Sequence, residues 1–127
     1  MGNILLAGVG GFIGSVSRYL LSGYVEQWSR SGNFPYGTLA VNIIGCLLIG
    51  FLSQLADTRG VLPSQSRVFL FVGVLGGFTT FSAFGNETVN LWRGGESLLA
   101  FANIAGQLVL GLSAVWLGRV LAYGIWR

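Results

Sequence analysis

The sequence predicts an all-α membrane protein of four transmembrane helices, the third broken near mid-membrane. Three observations predict it. Of 127 residues, 53% are hydrophobic and 9% charged; a globular domain carries about 25% charged residues, so most of this surface must face something other than water. Gaps between the charges match the roughly 20 residues that cross a hydrocarbon core at about 1.5 Å of rise each. The third gap holds a glycine and threonine run that suits a helix interior poorly.

The first span covers residues 3–24 and is interrupted only by Arg18. Its opening, MGNILLAGVGGF, lacks the basic flank and small-residue cleavage site of a secretory signal and reads as the start of the first mature span. Gly8, Gly10, Gly11 and Gly14 fall in this helix. Gly10 and Gly14 stand at GxxxG spacing, which lets helix backbones approach closely; no strand precedes them, so nucleotide binding is not indicated. An arginine at mid-bilayer costs at least about 2.5 to 3.5 kcal/mol. Arg18 therefore either snorkels to the interface or faces an aqueous vestibule where it attracts anions.

Ser29, Arg30, Ser31, Gly32, Asn33 and Pro35 punctuate the chain before the second span, residues 36–56, which is 21 residues without a charge. Pro35 suits the helix entrance. Asn42 lies in an otherwise apolar run and needs partners: either it bonds a neighbouring helix, or its two N–H donors meet an anion in a pore. Cys46, the single thiol, reads as a packing residue. Asp57 to Ser66, with Pro63, form the next connection.

The third span, residues 68–91, contains GVLGGFTTFSAFGNETVNLW from Gly73 to Trp92. Adjacent glycines followed by two β-branched threonines predict a break over Gly76, Gly77, Phe78, Thr79 and Thr80. Open backbone at this depth is tolerated where it is buried, lines a cavity or binds an ion. Freed carbonyls favour a small hard cation such as Na⁺; a plain kink is the simpler alternative. Phe81 and Phe84 follow at i, i+3, on one helical face, with Ser82 between them. They either pack or offer positive ring edges to an anion, and weak multi-site binding of that kind suits conduction. Glu87, the single intramembrane acid, is open to proton relay, snorkelling or pairing with an arginine.

Arg93 to Glu96 lead into the fourth span, residues 98–118, again 21 uncharged residues. Asn103 and Gln107 form an i, i+4 polar stripe, with Ser113 further along, that lines either a helix interface or a pore. Trp28, Tyr36, Trp92, Tyr123 and Trp126 cluster near the span ends as an interfacial belt.

Composition removes several functional classes. With no His, no Lys, one Cys and four acids, a histidine-based triad, a Cys/His zinc site and a lysine Schiff base are excluded. The net charge of +3 comes from seven scattered arginines, which build no patch for nucleic acid. Arg59, Arg67, Arg119 and Arg127 lie on the side of the termini; Arg18, Arg30 and Arg93 lie on the other. That balance fits insertion decided by one or two arginines, or dual topology with antiparallel pairing. Size favours pairing, since four helices fill their own centre, and the chain has no internal repeat to supply a transporter's pseudo-symmetry.

Three segments, GGFIGSVSRY (Gly10 to Tyr19), PYGTLAVNIIG (Pro35 to Gly45) and GGFTTFSAF (Gly76 to Phe84), resemble the Fluc (CrcB-type) fluoride channels, with similarity from near Leu6 to near Gly118. Ala83 stands where that family usually has Thr. The resemblance implies an antiparallel, dual-topology homodimer with two fluoride pathways, in a multi-pass protein of the bacterial inner membrane that passively exports cytoplasmic F⁻ and so relieves its toxicity. It implies a structural Na⁺ at the dimer interface, held by the backbone carbonyls of Gly76 and Thr79 from both subunits. Asn42, Phe81 and Phe84 are implied to line the pathways, with Arg18 toward the vestibule. With the polar residues read above, the expected pathway comprises Arg18, Asn42, Thr80, Phe81, Ser82, Phe84, Asn103 and Gln107. Two other readings stand beside it: a small dual-topology proton-coupled efflux transporter, which would use Glu87 but lacks the usual acid in its first helix, and a structural subunit that passes no ion.

Overall fold

The computed structural model describes residues 1–30 and 32–125. Ser31, Trp126 and Arg127, counted above for the first loop, the aromatic belt and the arginine balance, lie outside the described residues. Among the described residues four membrane-length stretches are present: α1 (Gly2–Ser29), α2 (Tyr36–Arg59), a composite third span (Ser64–Arg93) and α6 (Ser97–Ile125). Each helix outruns the charge gap that predicted it, because hydrogen-bonded turns continue past the hydrocarbon into the interface. Trp28, Tyr36, Trp92 and Tyr123 are all exposed near these ends, where amphipathic rings settle.

Local chemistry explains most boundaries. α2 stops at Gly60, whose left-handed φ of 58° lets its N–H reach Ala56 O at 3.2 Å, a glycine C-cap. Its other end is closed from outside: Glu26 Oε1, on α1, accepts from Gly37 N at 2.8 Å, placing a carboxylate at the positive end of α2. Arg119 Nη1 on α6 donates to Gln54 Oε1 and Asp57 Oδ2, both at 3.2 Å, tying the far ends of α6 and α2.

The third span has four helical parts and one extended pair of residues. A short α3 (Ser64–Arg67) passes into a π-helical stretch, Val68–Leu75, then α4 (Gly76–Phe78). Thr79 (ψ 158°) and Thr80 (ψ 115°) are extended, and α5 (Phe81–Arg93) resumes the span. The break is thus narrower than predicted: Gly76, Gly77 and Phe78 remain helical, because the β-branched threonines, not the glycines, leave the helical region. The π-helical stretch carried no sequence signal. Within it bonds reach five residues, as from Gly76 N to Phe71 O, which rotates the following turn relative to a regular α-helix.

Packing is set by glycines. α1 lies along the third span so closely that a Cβ on Gly10 would stand 2.6 Å from Phe69 O and 2.9 Å from Gly73 Cα. One turn on, Gly14 faces Val74 O and Phe78 N. The close-packing reading of the Gly10 and Gly14 motif therefore holds. α2 and α6 make the second tight pair, where Gly50 meets Val115 O and Gly118 meets Leu47 O. Small side chains fill the centre, including Val41, Ala100 and Ala122, while Ile4, Phe12, Leu20, Leu112 and Trp116 point outward, as lipid-facing residues do.

Candidate functional site

The break at Thr79 and Thr80 leaves backbone groups that a continuous helix would pair, and four of them, Thr80 N, Thr80 O, Ala83 N and Gly77 O, are answered by side chains. Thr80 is the N-cap of α5: its Oγ1 accepts from Ala83 N at 3.2 Å, a bond worth about 1 kcal/mol. Asn42, one helix away on α2, pairs with Thr80 at two points, Oδ1 accepting from Thr80 N at 2.9 Å and Nδ2 donating to Thr80 O at 3.1 Å. Arg18 Nε, on α1, donates to Gly77 O at 3.1 Å. The arginine thus binds a carbonyl freed by the break, a third outcome beside snorkelling and lining a vestibule.

These bonds fix the side-chain amides without ambiguity. Thr80 N needs an acceptor, so the Asn42 oxygen faces it and the NH₂ turns to Thr80 O and Gln107 Oε1, the latter at 3.0 Å. Both Asn42 hydrogens are then committed to protein, so of the two readings open from the sequence the bond to neighbouring helices is the one the amide makes, and donation to an anion is not. Gln107 is oriented in turn. Its oxygen takes Asn42, and its Nε2 is buried with no hydrogen-bond partner among the described residues. An orphaned buried donor is costly and marks a place where an acceptor belongs.

That acceptor has room. Beside the break lies a cavity of about 390 Å³ lined by Asn42, Thr79, Thr80, Phe81, Phe84 and Gln107 together with Gly45, Cys46, Gly76 and apolar neighbours. Phe81 and Phe84 stand with ring centroids 5.5 Å apart, tilted by 59°. Ile49, Phe81 and Leu108 line the cavity and are exposed, Phe81 to 83%. The cavity therefore opens on the outer face of the bundle, not in its packed centre.

The remaining expected residues sit elsewhere. Ser82 does not line the cavity; its Oγ lies 3.3 Å from Thr80 Oγ1. Asn103 is fully buried and donates to Thr88 Oγ1 at 2.9 Å, so the predicted stripe divides, Gln107 reaching the cavity and Asn103 a helix contact. Ser113 is exposed. Thr38 Oγ1 donates to Glu87 Oε1 at 2.7 Å. Glu87 lines a separate cavity of about 360 Å³ with Asn33, Asn90 and Glu96, away from the phenylalanines. Glu26 at Gly37 and Arg18 at Gly77 O are features the sequence did not foretell, since each partner is 11 or 59 residues away.

The two carbonyls expected to hold Na⁺ fit a cation. In a continuous helix Gly76 O would accept from Thr80 N, but that N–H is taken by Asn42 Oδ1. Thr79 O would accept from Ala83 N, which is taken by Thr80 Oγ1. Among the described residues no backbone hydrogen bond reaches Thr79 O. Hard oxygen donors without hydrogen-bond partners are what Na⁺ selects, and Gly76 is exposed, so its side of the break is accessible to a second copy.

Residues 5–119 match the family described as CrcB-like protein, Camphor Resistance (CrcB). The chain is 49% identical over 118 residues to a protein of Methylobacillus flagellatus named "Fluoride-specific ion channel FluC", covering 93% of this chain and 92% of that one. Proteins of the same name from Opitutus terrae and Chlorobaculum tepidum are 46% and 48% identical, covering 95% and 96% of this chain and 92% and 95% of theirs.

Proposed function

The chain belongs to the CrcB-like family, and from that premise we propose that it is a fluoride-specific channel carrying F⁻ passively across the membrane. The observation that carries the reading is near-full-length identity to proteins named as fluoride-specific channels, over a span that includes every residue of the break and cavity. The chain is an ion conductor, not an enzyme, and a multi-pass membrane protein. Export from the cytoplasm follows from the membrane potential, since a negative interior drives a permeant anion outward.

The working unit is an inverted pair of copies. Its support is the cavity's opening on the outer face, the partnerless Thr79 carbonyl beside it, and arginines balanced among the described residues, with Arg59, Arg67 and Arg119 on one side and Arg18, Arg30 and Arg93 on the other. Gly76 and Thr79 carbonyls from both copies would hold Na⁺, which when bound supplies a fixed positive charge and pins the pair. Each subunit's cavity then becomes a walled passage.

Along that passage a dehydrated F⁻ meets donors without a full positive charge at contact. Phe81 and Phe84 present positive ring edges. The first amides of α5 have no intrahelical partner and carry the positive end of the helix dipole. Gln107 Nε2 supplies its uncommitted N–H groups. Asn42 lines the cavity and holds these parts in register, while Thr80 caps α5. Several weak sites in series let the ion enter and leave.

The test is halide efflux from liposomes containing the purified protein, with K⁺ and valinomycin to compensate charge. F⁻ should leave rapidly and Cl⁻ remain, with or without an imposed pH gradient. Folded protein that releases no F⁻ would remove the proposal, and flux that requires a proton gradient would favour the transporter reading centred on Glu87.

A further inference from the structure

Two N–H groups at the break are diverted from the carbonyls they would bond in a helix, and the diverting atoms are side chains. Asn42 Oδ1 takes Thr80 N at 2.9 Å, which leaves Gly76 O without its helical donor. Thr80 Oγ1 takes Ala83 N at 3.2 Å, which leaves Thr79 O without its own. The two carbonyls so released are the pair that fit Na⁺. Both bonds are part-buried, and without these side-chain acceptors the two N–H groups would favour return of the extended Thr79 and Thr80 backbone toward helix.

We propose that Asn42 and Thr80 are the residues that create the cation site, by withdrawing its two carbonyls from the helical ladder, and that Asn42 thereby couples the anion cavity to the cation. The inference rests on the sodium-pinned pair proposed above. Asn42 and Thr80 are positioning residues here: neither side chain need touch the cation. Asn42 also lines the cavity and bonds Gln107 Oε1, so the orientation of the Gln107 donor and the availability of Gly76 O are set by one amide. A change at either place is felt at the other through a single rigid group.

The experiment measures the Na⁺ concentration that half-maximally stabilises the purified dimer against thermal dissociation, after long dialysis into N-methylglucamine buffer and titration with NaCl at constant ionic strength. Asn42→Ala and Thr80→Val should each raise that concentration at least about ten-fold, the scale expected when a hydrogen bond that controls a ligand is lost. Thr80→Ser keeps the capping hydroxyl and should stay within about two-fold of the parent. General destabilisation would lower the dissociation temperature at saturating Na⁺ without moving the half-saturation point, so the readout separates positioning from packing. If Asn42→Ala yields no folded protein, the Thr80 pair decides. Parent-like Na⁺ dependence in Thr80→Val, or in both variants, overturns the inference and leaves the channel reading intact. A parent protein whose dimer ignores Na⁺ removes the inference and the sodium site together, while the efflux assay still judges conduction.

Discussion

Gly14→Ala is expected to yield little folded protein, while Gly8→Ala in the same helix folds as the parent does. At Gly14 the new methyl would overlap Val74 O and lie 2.9 Å from Phe78 N, whereas at Gly8 nothing lies within 4 Å. Backbone cannot turn aside as a flexible side chain can. α1 must therefore lift from the third span, losing the contacts on either side and the approach of Arg18 to Gly77 O. Overpacking costs about 1 to 3 kcal/mol and occasionally more, and a clash with backbone falls at the upper end, a large share of the roughly 5 to 15 kcal/mol that stabilises a domain. Size-exclusion profiles and unfolding midpoints in detergent measure it. A monodisperse Gly14→Ala particle with an unchanged midpoint would mean that the two helices are not in backbone contact.

Phe81→Ile should lower F⁻ efflux at least ten-fold while the assembled particle keeps its mass. Isoleucine preserves apolar bulk and removes the positive ring edge, and an aromatic edge contact worth about 1.4 kcal/mol corresponds to a factor of ten. Phe81 suits the experiment because its ring is 83% exposed in the single chain and its ring partner is Phe84, 5.5 Å away. The substitution thus disturbs little of the subunit's interior. Unaltered efflux would return Phe81 to a lipid- or partner-covering role and leave Gln107 and the α5 amides as the anion's donors.

What the sequence made legible depended on whether the signal was local. Four spans follow from charge spacing alone, and the third-span break follows from two β-branched residues after a glycine pair; the capping role of Thr80 is visible only in the structure. The Gly10 and Gly14 spacing foretold a close helix contact, though not its partner. Roles decided across the bundle were not legible. Asn42 reads equally well as a pore donor until Thr80 is seen to occupy its oxygen and one hydrogen, and Gln107 to occupy the other. Asn103 and Gln107 share a helical face, yet one turn of rise carries them to different neighbours, Thr88 and the cavity. Arg18 has the charge of a vestibule residue, but its partner is a carbonyl freed by two extended residues 61 and 62 positions further on. A cation at the break and an inverted pair are each one of two readings open from the residues, beside a plain kink and one-way insertion; the expectation of Gly76 and Thr79 as the particular carbonyls comes from the family resemblance.

The proposed inverted pairing is open to direct measurement. A single reactive thiol at Val61→Cys, in the exposed α2–α3 connection, in a Cys46→Ala background, can be labelled on intact cells with a membrane-impermeant reagent and the extracted dimer weighed by native mass spectrometry. An antiparallel pair places one Val61 on each side of the bilayer, so every dimer should carry one label. Dimers carrying two labels or none would mean that the copies insert the same way up, and the shared break could not be built from opposed halves.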